Sequence, residues 1–82
     1  MQTWSYKTSI GTFYIVPKGG RFHLLYNNQD LGNYYQPWHI SEDLSEGKPA
    51  NIVSTTGEVL SSVRFLNIPG DLGKWETSRG EG

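Results

Sequence analysis

At 82 residues the chain has room for one hydrophobic core, since below roughly 100 residues there is too little apolar surface for two. A formal net charge of −1 removes the long-range attraction that a polyphosphate needs, and the lack of cysteine removes disulfides, thiolate metal sites and cysteine nucleophiles, which fits a reducing cytoplasm. No window approaches the roughly 20 apolar residues that span a bilayer, and Met1 to Thr8 lack the apolar run of a leader, so the expectation is a soluble cytoplasmic protein.

From Thr3 onward the apolar residues recur with period two, the signature of half-buried strands. Strands are predicted at about 3–7, 11–16 and 21–27, with a fourth, short one at about 31–35. Pro17-Lys18-Gly19-Gly20 and Asn27-Asn28-Gln29-Asp30 are turn sequences, and Ser9-Ile10-Gly11 makes a less clear first reversal. Opposed residues in an antiparallel pair share a face, so parity places Phe13, Ile15, Phe22, Leu24, Tyr26 and Leu31 on a core face. Tyr14, Val16, His23, Leu25 and Tyr34 fall on the other.

Gln36-Pro37 opens a helix over about 37–46: proline suits the first turn, where its missing N–H has no partner to lose, and Gly47 suits a left-handed stop. Ile40 and Leu44, four apart, form its apolar stripe, which is predicted to cover the Phe13/Phe22/Leu24 face. Lys48-Pro49-Ala50 reads as a linker. Thr55-Thr56-Gly57-Glu58 resembles a capping box ahead of Val59, Leu60, Val63 and Leu66, which predicts a short helix over a competing strand. Ile68-Pro69 must be extended, and Leu72 and Trp75 fit a last turn over one edge of the core. The expectation is a single α+β domain over 1–76, an antiparallel sheet of three to four strands with one helix on it, and a disordered tail over 77–82.

Gly11-Thr12-Phe13-Tyr14-Ile15, Leu31-Gly32-Asn33-Tyr34 ahead of Pro37, and Pro69-x-Asp71-Leu72-x-x-Trp75 occur in that order over most of the chain. In these motifs the chain resembles a family of small bacterial proteins without an assigned activity, in which alanines stand where this chain has Ile40-Ser41. The resemblance implies the fold, and it implies no catalytic residue and no cofactor.

The residues give little chemistry. His39-x-x-Glu42, with His23 or Asp43, offers a divalent metal too few convergent ligands, and the simpler reading is a solvated helix face with no metal. Serines are many, but two histidines and no nucleophile-elbow motif argue against nucleophilic catalysis, so neither an enzyme nor a small-molecule substrate is expected. Glu42, Asp43 and Glu46 could imitate nucleic-acid phosphates toward a basic partner, as in a small inhibitor, although acids near a helix start ordinarily complement its dipole. The strand order with a following helix is similar to the AP2 and integrase-arm sheets that read DNA, yet Lys7, Lys18 and Arg21 are the only cations in the sheet half, which makes nucleic acid the lesser alternative.

The leading expectation is therefore a non-enzymatic module that binds another protein, or itself in a homodimer, through a sheet face or edge. The candidate partner-binding residues are Tyr14, His23, Leu25 and Tyr34, an apolar and aromatic surface that something must cover unless residues 51–76 fold over it.

Overall fold

The computed structural model describes residues 2–48 and 51–79. Four strands come first, β1 (Gln2–Thr8), β2 (Gly11–Lys18), β3 (Arg21–Tyr26) and β4 (Gln29–Tyr34), followed by helix α1 (Pro37–Ser45). A two-stranded ribbon of β5 (Ile52–Val53) and β6 (Val59–Leu60), two 3-10 turns (Arg64–Leu66 and Leu72–Lys74) and strand β7 (Glu76–Arg79) complete the chain. The main sheet has the order β4-β3-β2-β1-β7, with every neighbouring pair antiparallel. This is the α+β architecture that the period of two predicts for the first half.

The reversals follow from local chemistry. Asn27 and Asn28 both hold positive φ, 50° and 60°, which asparagine tolerates and which matches the right-handed twist of the strands they join. At the end of α1, Gly47 takes φ 88°, its N–H donates to the Leu44 carbonyl, and Lys48 N–H donates to the Asp43 carbonyl. These two bonds close the helix with a Schellman motif and satisfy carbonyls that a bare helix end would leave open.

Phe13, Ile15, Leu24 and Tyr26 from one sheet face meet Ile40 and Leu44 of α1 in a single buried cluster, joined by Ile52, Val63, Ile68 and Trp75. Phe13 and Tyr26 stack with centroids 4.6 Å apart. The Tyr26 hydroxyl donates to the Ile10 carbonyl at 2.7 Å and accepts from Thr55 N–H at 3.2 Å, so this buried polar tip is satisfied and ties the second half of the chain to the sheet. Ser41, fully buried, lies 2.8 Å from the Trp38 carbonyl and 2.9 Å from that of Gly70, which makes a small polar residue the link between α1 and the segment leading to Trp75.

Three expectations need correction. Residues 55–60 are not helical: Ser54 N–H donates to the Glu58 carbonyl, and the Ser54 hydroxyl accepts from the N–H groups of Thr56 and Glu58, so the capping-box sequence builds the β5–β6 hairpin instead. Within that predicted helix, helical turn appears only at its end, Arg64–Leu66. Residues 77–79 are not a disordered tail, because β7 pairs with β1 from Glu76↔Ser5 to Arg79↔Gln2; residues 80–82 of that expectation lie outside the described residues, as do 49 and 50 of the linker. Backbone hydrogen bonds suffice to recruit a polar strand to an open edge, and they leave no mark in hydrophobic periodicity.

The third correction concerns β4. The β3–β4 register shifts between Leu24 and Leu25: Leu25 opposes Asp30, but Leu24 opposes Gly32, so Leu31 is an extra residue in a β-bulge. Gly32 sits at φ 142°, a backbone state side chains disfavour, and its N–H is held by the Asp30 carboxylate at 3.0 Å. The extra residue inverts the parity of everything after it. Leu31 still packs against the core as predicted, while Tyr34 moves to the core face opposite Phe22 and Asn33 takes the outer position opposite His23.

Candidate interaction face

The side of the sheet away from α1 is open among the described residues. The apolar residues of the second half that are buried, Ile52, Val63, Ile68 and Trp75, all join the cluster on the α1 side, whereas Val59 and Phe65 are exposed. Residues 51–76 therefore do not cover Tyr14, Val16 and Leu25. One unbroken row runs across all five strands of that face, Asp30–Leu25–Tyr14–Ser5–Glu76, each residue directly opposite the next. Tyr14 is 47% exposed at its centre, and Leu25 beside it is half-buried. Tyr14, Leu25, Asn27, Asp30 and Lys18 line a shallow concavity of about 490 Å³.

His23 lies one row along, and its Nδ1–H donates to Asp30 Oδ2 at 2.7 Å. That hydrogen bond, aided by the one from Gly32 N–H, holds the Asp30 carboxyl below its usual range against a smaller opposing effect of burial. Asp30 thus does two tasks: one oxygen closes the bulge, and the other orients His23. The pair leaves the rim polar and the middle of the face apolar.

Of the four residues predicted for partner binding, the structure brings Tyr14, His23 and Leu25 together and places Tyr34 elsewhere. The Tyr34 hydroxyl donates to Asp43 Oδ2 at 2.9 Å, and its ring stands 5.2 Å from that of His39 on the α1 side. Burial, with the neighbouring Asp43 carboxylate, pushes the Tyr34 phenol up to about 12. Tyr34 is thereby a clamp between β4 and α1.

Its engagement with Asp43 also draws one member of the acidic helix patch inward. Asp43 is turned toward Tyr34, with His39 Nε2 3.8 Å from its other oxygen, Glu46 has Lys48 at 3.8 Å, and Glu42 is exposed. His39 and His23 stand on opposite sides of the sheet, and among the described residues no three His, Cys, Asp or Glu side chains gather to hold a metal ion.

Parity alone did not show the rest of the surface. Arg21 carries its guanidinium over the Tyr35 ring at 3.9 Å, with Tyr35 73% exposed, and Glu76 enters the central row only because β7 exists. The Arg-Tyr pair had a signal in the sequence, since positions 21 and 35 flank the predicted third and fourth strands; Glu76 had none.

Comparison of the chain with protein-family models, with curated proteins and with solved structures found no match. No helix among the described residues is long and apolar enough to cross a membrane.

Proposed function

We propose that this chain is a non-enzymatic interaction module, acting in the cytoplasm, that docks a protein partner on the open face of its sheet. The observation that carries the reading is the central row: an exposed Tyr14 beside Leu25, in a shallow concavity with a polar rim, on a sheet against whose opposite face the buried apolar residues of the second half pack. An apolar centre ringed by polar groups is the usual anatomy of a protein-binding patch, and tyrosine suits it because its ring is apolar while its hydroxyl tolerates water.

Nucleic acid is the second reading, favoured by the register that sets Lys7, Lys18 and Arg21 on the same face. Asp30 and Glu76 at the two ends of the central row oppose it, because each would repel a phosphate backbone laid across the strands.

The test is affinity capture from the native host with the wild-type chain and with Tyr14→Ala/Leu25→Ala. A stoichiometric protein partner retained by the wild type and lost by the variant, whose melting temperature falls by only a few degrees, is the expected result. Capture of the same proteins by both chains would remove the face from the account.

A further inference from the structure

We propose that the occupant of the open face is a second copy of this chain, its sheet crossed at a near right angle over the first about a twofold axis through Tyr14. This rests on the docking reading above and names the partner. The basis is the way charge is distributed around Tyr14. In the central row Asp30 on β4 and Glu76 on β7 stand two strands to either side of Tyr14, roughly 10 Å away at the usual strand spacing. Along the strands the charges have the other sign. Lys18, with Arg21 directly opposite, lies toward one end of β2, and Lys7, opposite Thr12, lies toward the other, at roughly 7 to 13 Å from Tyr14 by strand rise.

By strand position the face therefore carries acids on one axis and bases on the perpendicular one, with Tyr14 where they intersect and Lys18 sharing its concavity with Asp30. Stacking two copies with their strands aligned would set bases over bases and acids over acids. Turning one copy by about 90° sets bases over acids at both ends, and crossed packing is one of the two arrangements that stacked sheets adopt. A twofold axis lying in the plane of the sheet, along the diagonal between the two directions, performs that exchange and uses the same patch from each copy. Two diagonals exist. The one that seats Lys18 and Arg21 on Glu76 of the second copy is selected, because Asp30 is already engaged by His23 and Gly32, whereas Glu76 is exposed and belongs to none of the ion pairs among the described residues. On that diagonal Lys7 approaches Asp30 of the other copy, and the two Tyr14 rings meet at the axis beside Leu25.

Sedimentation analysis of the full chain from micromolar concentration to about 0.5 mM provides the test. The expected mass rises toward twice 9.3 kDa with concentration and falls back as salt is added. Lys18→Glu and Glu76→Lys, both at exposed positions, are each expected to weaken the dimer by about tenfold or more, and Lys18→Glu/Glu76→Lys to restore it, with unchanged circular dichroism throughout. A monomer at every concentration overturns the inference, as does a dimer indifferent to the reversals or not restored by the pair. A monomer whose Tyr14-dependent capture of a different protein persists overturns the second copy and leaves the docking face standing. A monomer without such capture overturns both, and one that instead retards a single-stranded oligonucleotide at low salt overturns both in favour of nucleic acid.

Discussion

Phe13→Ala is expected to cost about 3 to 5 kcal/mol of stability, while Tyr14→Ala, one residue along the same strand, stays within about 0.5 kcal/mol. The contrast follows from period two in β2. Phe13 is fully enclosed, stacked on Tyr26 and packed in the cluster with Ile40 and Leu44, so removing its ring leaves a cavity that neighbours on three elements would have to fill. Tyr14 points to solvent and makes none of the hydrogen bonds found among the described side chains. A domain of this length has a total stability of roughly 4 to 12 kcal/mol, so Phe13→Ala removes about a quarter of it or more. Urea unfolding of the two variants reads the difference directly as a shift of midpoint at constant slope. Equal losses at the two positions would mean that both faces of the sheet are covered.

Gly47→Ala is expected to cost about 2 kcal/mol or more, from two separable causes. The first is conformational. At φ 88° the residue occupies the left-handed region that the Schellman closure of α1 requires, and a Cβ there meets its own carbonyl. The second is spatial. Gly47 is buried, and a methyl group at this position would overlap Ser62 Oγ and stand 3.2 Å from Arg64 Cβ, which presses the helix end against the loop that carries Val63 into the core. Adding Ser62→Ala relieves part of the second cause and none of the first, so the double variant should recover part of the loss in thermal unfolding. Full recovery would show that the backbone conformation contributes nothing, and a loss below about 0.5 kcal/mol in the single variant would contradict the packing at this junction.

The strands up to Tyr26 were legible because β2 and β3 each set enclosed residues two apart, Phe13 and Ile15, then Leu24 and Tyr26, and in β1 Trp4 and Tyr6, also two apart, pack against the same cluster. The helix was legible from Pro37 and Gly47, whose backbone constraints are local. Tyr34 was not, because a bulge adds one residue without changing composition; the only hint was Gly32 inside a strand pattern, a residue that often marks such an irregularity. The Ser54 turn misled because a threonine followed three residues later by glutamate is read as a helix start, while the side chain that does the bonding is the serine before it. Glu76–Arg79 carries no apolar residue, so only the free edge of β1 explains its strand. The candidate residues divide along the same line: Tyr14, His23 and Leu25 lie before the bulge and fall on the outer face that parity assigns them, and Tyr34 lies beyond it.

Because the chain has no cysteine, a single thiol can report on either face of the sheet. The rate of modification by a small thiol reagent, measured in dilute protein for Tyr14→Cys and Leu24→Cys, tests whether one side is open and the other enclosed. The account predicts that the thiol at position 14 reacts nearly as fast as in the unfolded chain, and that the one at position 24 reacts only through opening of the fold, slower by orders of magnitude. Strong protection at position 14 in dilute protein, or rapid reaction at position 24 in a folded chain, would contradict it.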